Sequence, residues 1–227
     1  MGKSTRLALD LATIVIAGCA IVSTVLVVRA QVAPALTASH PASPPVRAIS
    51  PSRWLFAGGR RIGPPNAAVT LVEFGDFECP ACSAFFRELR PLRAKNPSRL
   101  AIVYHYDPLP YHRFALAAAR AAECAARQGR FEQMHDLLYE LQDSFGLLKF
   151  EDMARRAGVP STTGFRACES DPKVEAVIDS DRQLAIRLRL MGTPSVVFDD
   201  SLWSGAPPLT EIQAAVHADR GSAQLRR

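Results

Sequence analysis

The chain has 227 residues, 48% of them apolar and 22% charged, with a formal charge of +5. That length can bury one good core but not two. Lys and Arg never run together for more than two residues, and no basic stripe interleaves with aromatics. This argues against nucleic acid as a partner and leaves the charge as a solvated surface with a mild pull towards anionic headgroups.

In chain order, residues 1–10 carry Lys3 and Arg6 ahead of LATIVIAGCAIVSTVLVV, residues 11–28, an uncharged run just long enough to cross a bilayer. The cations place the first segment in the cytoplasm and the remainder outside it. Two other readings stay open. A signal peptide would need a small-residue cleavage site, and Ala33-Pro34-Ala35 is a poor one because of its proline. IAGC at 16–19 looks like a lipobox with Cys19 lipidated, although the apolar run continues well past that cysteine. All three readings export the folded part; an uncleaved anchor in the cytoplasmic (inner) membrane fits best. Residues 29–53 hold prolines at 34, 41, 44, 45 and 51 and no hydrophobic period, and read as a semi-extended tether.

Order is expected from Trp54. WLFAGGRRIG reads as a short edge strand and turn, and AVTLVEFGD (68–76) as a buried central strand. A helix is expected over about 80–95, with a kink at Pro91, and RLAIVYHYD (99–107) as the next strand. Strand, helix, strand makes a parallel, right-handed unit. Helices follow over 113–128, stopped by Gly129, from Phe131 to Leu141, over 149–157, and from Asp171-Pro172 to about Leu190. SVVF (195–198), a turn at Asp199-Asp200, LWSG and a helix from Thr210 close a domain spanning 54–218. Residues 219–227 form a tail. The apolar stripes of these helices are most simply core.

The residues that carry chemistry begin with Cys79 and Cys82, three apart where the central strand gives way to a helix. The first helical turn leaves N–H groups unpaired, and these together with the helix dipole favour a thiolate at Cys79. Cys82 lies one turn on and can reach back. Zinc would need about four ligands, and no second C-x-x-C or spaced histidine pair accompanies these two. Covalent haem would need histidine at position 83, which is Ser83. As a purely structural bridge so small a ring would add only roughly 2 kcal/mol, whereas closing the loop from Cys124 to Cys168 would add about 4 kcal/mol. In an oxidising compartment that second pair is expected to be the structural disulfide. Glu73 stands in the middle of an apolar strand, where a carboxylate is either unfavourable or useful, unless it escapes to the sheet edge. Thr193-Pro194 precedes a strand, a usual setting for a cis peptide and equally for an ordinary loop proline.

Together these motifs resemble the thioredoxin fold, and more closely the exported DsbA-like branch of thiol–disulfide oxidoreductases, over about residues 54–218. VEFGDFECPAC looks like that family's strand, acid and redox-active C-x-x-C, and GTPSVVF like its cis-proline loop. PLPYHRFALAAARAAECAARQGRFEQMHDLLYE is similar to the opening of the helical domain those proteins insert, here expected at 112–190. The resemblance implies an α/β fold, a central mixed β-sheet flanked by helices. It implies Cys79 as the attacking thiol, Cys82 as the resolving thiol and Glu73 as the acid that shuttles the proton of Cys82. Pro194 would be the cis-proline and Thr193 the residue whose backbone pairs with substrate chains. Neither metal nor organic cofactor is implied. The implied partners are extracytoplasmic protein thiols and disulfides, and a membrane redox protein that resets the pair. The dipeptide between the cysteines is Pro-Ala, where the best-known oxidases of the family carry Pro-His, so a weaker oxidant is expected. The reading from another class is a tethered, non-catalytic binding module with the same fold.

Overall fold

A computed structural model describes residues 45–49, 55 and 58–218. The expected membrane anchor at 11–28 with Cys19, the cytoplasmic segment 1–10, most of the tether and the tail 219–227 lie outside the described residues. No helix among the described residues is long and apolar enough to cross a membrane.

The elements are β1 (Pro45–Ala48), β2 (Arg60–Ile62), β3 (Val69–Gly75), α1 (Pro80–Lys95), β4 (Leu100–Tyr106), α2 (Ala115–Ala126), α3 (Phe131–Glu140), a short 3₁₀ turn (Gln142–Ser144), α4 (Phe150–Arg156), α5 (Thr162–Glu169), α6 (Pro172–Arg187), β5 (Ser195–Phe198), β6 (Ser201–Ser204) and α7 (Leu209–His217). The strands form one sheet in the order β1-β6-β5-β3-β4-β2. β3 and β4 run parallel, joined by α1, and the other pairings are antiparallel. This is the thioredoxin fold, a mixed sheet flanked by helices, with α2 to α6 between β4 and β5.

β3 and β4 are central because they are apolar on both faces, and alternation sorts their side chains. Leu71, Leu100, Ile102 and Tyr104 join one core with α1 and α2, while Val72, Phe74 and Val103 join the other with Leu184 and Leu188. By the same alternation Glu73 shares the face of Leu71. α1 runs through Pro91 without interruption to Lys95. α2 buries Ala118, Ala121, Ala122 and Ala125, small residues that let neighbouring helices approach closely. It ends at Ala126, and the turn that follows contains Gly129, whose φ of +71° is a left-handed conformation glycine takes without a Cβ penalty. Arg60 of β2 grips the buried Glu123 of α2 through two bonds of 2.6 and 2.5 Å, and Tyr106 Oη donates to the same carboxylate at 3.2 Å.

Two elements differ from the sequence expectation. Residues 45–48, assigned to the tether, form an edge strand against β6. An edge strand pairs on one side only, so proline can start it and no hydrophobic period marks it. α5 has no counterpart in the sequence reading because Phe165 is its sole buried residue, leaving no apolar stripe to read. Its N-cap is nonetheless regular: the Ser161 hydroxyl accepts from Gly164 N–H at 3.0 Å.

α5 carries Cys168 to Cys124 of α2, and the two form a disulfide across 44 residues. By the loop-entropy argument, replacing both by alanine should lower stability by about 4 kcal/mol. Urea unfolding of the two proteins, with Cys79 and Cys82 in the same redox state, measures this; an unchanged midpoint would show that the bond does not staple the helices.

Candidate active site

The site forms where β3 ends and α1 begins. Cys79 is the N-cap of α1, with extended backbone at φ −73° and ψ 122°, and Pro80 opens the helix at a position whose N–H would go unpaired. The turn before it is held from three directions. The buried Asp76 carboxylate accepts from the N–H of Glu78 at 2.7 Å, that of Leu109 at 2.8 Å and Nδ1–H of His112 at 2.7 Å. The Glu78 carboxylate accepts from the N–H of Phe114. Gln142 Nε2 donates to the carbonyls of Phe77 and Cys79 at 2.7 and 3.1 Å.

β5 delivers the second half of the site. It pairs antiparallel with β3, Ser195 opposite Phe74, so the loop entering β5 must arrive beside the end of β3. There the Thr193–Pro194 peptide is cis. Cys79 Sγ, as a thiol, donates to the Thr193 carbonyl at 3.3 Å. Ser195 Oγ donates to the Gly192 carbonyl at 2.7 Å and ties the loop to its own strand. The structure thus brings Cys79, Cys82, Thr193 and Pro194 together, while Cys124 and Cys168 lie apart in the helical layer.

Both site cysteines are free thiols, Cys79 with 7% of its surface exposed and Cys82 with none. Their environments push them in opposite directions. Cys79 is brought from an ordinary 9.0 down to about 5, chiefly by the hydrogen bond its neighbour Cys82 gives the charged sulfur. Burial opposes this, and Thr193 and the backbone of Cys82 and Ala81 assist it. The helix start assists, but in the folded protein the second thiol contributes more. Burial pushes Cys82 well above its ordinary value, and the bond to Cys79 and the charge of Glu73 add to it. One sulfur is therefore ready to attack while the other keeps its proton.

Glu73 does not escape to the sheet edge. It is 3% exposed, and its Oε1 has no hydrogen-bond partner. Burial raises it from 4.5 to about 8, with the charge of Cys79 adding and Arg93 opposing. Behind it, the Tyr104 and Tyr139 hydroxyls meet at 2.9 Å. Among the described residues no three His, Cys, Asp or Glu side chains converge as a metal would require.

Asp76, Gln142, His112 and Glu78 are absent from the sequence reading. Asp76 closes an apolar strand next to the C-x-x-C, a signal that was available. Gln142 reaches the cysteine turn across more than sixty residues of chain, and nothing local announces it.

The thioredoxin family model matches residues 57–218. A thioredoxin-like oxidoreductase from Silicibacter pomeroyi is 30% identical, with a TM-score of 0.64, over 78% of this chain and 100% of that one. The thiol-disulfide exchange protein alpha-DsbA2 from Wolbachia pipientis is 21% identical with a TM-score of 0.61, over 72% of this chain and 89% of that one, a likeness of fold alone. The Na(+)/H(+) antiporter NhaA 1 of Mycolicibacterium gilvum is 34% identical over 165 residues, which are 70% of this chain and 26% of the antiporter. The match thus spans about a quarter of that relative's length.

Two measurements test this electrostatic picture. Alkylation of the reduced protein should titrate with a midpoint near about 5, and Cys82→Ala should raise that midpoint by removing the main hydrogen bond. In the disulfide form, burial still keeps a proton on Glu73 that the unfolded chain releases near 4.5. The folded state therefore binds more protons from that pH upward until Glu73 ionises, so stability should fall as pH rises from about 4.5 through that window. Glu73→Gln should abolish the fall in urea midpoints; an equal fall in the variant means that Glu73 is not its source.

Proposed function

Because the chain belongs to the thioredoxin family, we propose that Cys79 and Cys82 are the redox pair of a DsbA-like protein thiol–disulfide oxidoreductase. The observation that carries this reading is the opposed displacement of two thiols at one helix start, one held as thiolate and one held protonated. A scaffold has no need of that asymmetry.

In the oxidising direction a substrate thiolate attacks Cys79 Sγ of the Cys79–Cys82 disulfide, and Cys82 leaves with the electron pair. Glu73, protonated near neutrality, is placed to give Cys82 its proton. A second substrate thiolate then attacks the substrate sulfur of the mixed disulfide, and Cys79 leaves as its stabilised thiolate. In the reducing direction the Cys79 thiolate attacks a substrate disulfide. Glu73, having first released its own proton, then takes that of Cys82, whose sulfur closes on Cys79 and expels the product. An extended substrate segment lies along the Thr193–Pro194 loop and pairs with the Thr193 backbone, in the manner of an added strand.

The same reading puts the domain outside the cytoplasm, at the periplasmic or outer face of the inner membrane, with residues 11–28 as its anchor and 29–53 as its tether. The Cys124–Cys168 bond supports an oxidising compartment, since such bonds are rare where thiols are kept reduced. Substrates are then extracytoplasmic protein thiols and disulfides. Turnover needs a membrane partner that resets the pair, either a quinone-linked oxidase or a thiol-transferring reductase.

Cys82→Ala is expected to accumulate mixed disulfides through Cys79 in extracytoplasmic extracts, visible as adducts that dissolve on reduction. A variant that traps nothing, beside a wild type that also turns over no dithiol substrate, would favour the binding-module reading. With alanine at position 81 the reduction potential of the pair is expected to be more negative than about −120 mV. Equilibration against glutathione buffers measures it, and a value at or above that figure removes the argument from Ala81.

A further inference from the structure

Two buried polar atoms on different elements lack a hydrogen-bond partner and belong to residues lining one cavity. They are Glu73 Oε1 on β3 and His135 Nε2 on α3. Phe86, Leu89 and Ile102 form the apolar wall, and Arg90 and Arg93 of α1 the rest. The space admits about one water molecule. Arg90 is 53% exposed in its side chain, so the outer side of the cavity borders solvent. Unmet buried donors and acceptors are rare and unfavourable, and two at one cavity call for a reason.

Their proton chemistry is complementary. The Asp136 carboxylate lies 2.9 Å from Nδ1 of His135 and accepts its N–H, which leaves Nε2 as a bare lone pair. Burial holds the His135 imidazole below its ordinary value, hence neutral near pH 7. Glu73, protonated in that range, has a proton to offer. The histidine is not a loose core residue: it packs against Phe77, Phe86, Tyr104, Phe131 and Tyr139.

We propose that His135 carries protons between Glu73 and solvent through a water bridging Glu73 Oε1 and His135 Nε2 in this cavity. His135 touches neither sulfur; it acts through Glu73, and the inference rests on Glu73 being the proton partner of Cys82. When Cys82 must become nucleophilic, the Glu73 carboxyl passes its proton to Nε2 and its carboxylate takes the proton of Cys82. The electron pair of Cys82 then forms the Cys79–Cys82 bond, and the substrate sulfur leaves with the pair of the mixed disulfide. When Cys82 is instead the leaving group, the proton runs inward by the same route. Around Glu73 stand Arg90, Arg93, Cys79, Cys82, Tyr104 and Tyr139; around His135 stand Asp136, Arg93 and Glu132. Burial keeps the two tyrosines neutral, and Asp136 is held anionic by His135 and Arg93 despite its burial.

A small aromatic disulfide such as dithiobis(nitrobenzoate) separates the steps on the full reduced protein. Attack by Cys79 releases a first coloured thiolate, and closure by Cys82 releases a second. His135→Gln is expected to leave the first release unchanged, to slow the second by at least about tenfold, and to alter its pH profile. Glu73→Gln should slow the second release too, and the double variant should be no slower than Glu73→Gln alone. If Glu73→Gln leaves the second release unchanged, the acid reading fails and the relay with it. If Glu73→Gln slows it and His135→Gln does not, or if the two effects multiply, the relay alone is overturned. Should His135→Gln fail to fold, ¹⁵N spectra of the unmodified reduced protein decide. The Nδ1–H tautomer is expected, with the Nε2 shift moving as Glu73 ionises near about 8, and an Nε2–H tautomer overturns the proposal.

Discussion

A single negative sulfur sets the requirements for the rest of this structure. The Cys79 thiolate is stabilised first by the Cys82 thiol, then by Thr193 and the backbone at the start of α1, in a place with little water to help. Such stabilisation works only when donors are already aimed at the charge, because a turn free to relax would trade them for solvent. The rigidity comes from polar side chains around that turn. Asp76 gathers two backbone N–H groups and His112, and Gln142 pins two carbonyls of the same turn.

The same burial that would be a fault elsewhere creates the division of labour here. Low dielectric raises Cys82 and Glu73 together, so both hold protons at neutral pH, while Cys79, capping the helix, does not. In the proposed mechanism the two raised groups exchange a proton, which requires that one of them has first given up its own. A proton store sealed inside a sheet must also be refilled, which gives meaning to a cavity shared with a second titratable ring.

The helical layer between β4 and β5 belongs to the same economy of structure. Its α3 supplies Tyr139 and His135 to the back of the site, and the 3₁₀ turn supplies Gln142 to the front. Arg60 to Glu123 and the Cys124–Cys168 bond hold that layer in register with the sheet. The layer is a wall of the active site as well as a cover.

Local pattern alone was sufficient for the central strands, the helix after the cysteines, and the Ala-rich α2 with its glycine stop, because each is encoded by neighbours in the chain. The C-x-x-C at a strand end and a carboxylate inside an apolar strand were equally legible, since their oddity is local. The strand at 45–48 and α5 were not legible: one depends on a partner at the far end of the chain, and the other buries a single side chain. Whether Glu73 points inward, why Cys79 is acidic, and which groups surround them were decided by tertiary packing. Charge stabilisation depends on distance and dielectric, and both arise only when the neighbouring β3 and α1 meet β5 and α3, far from them in sequence, around the same few atoms.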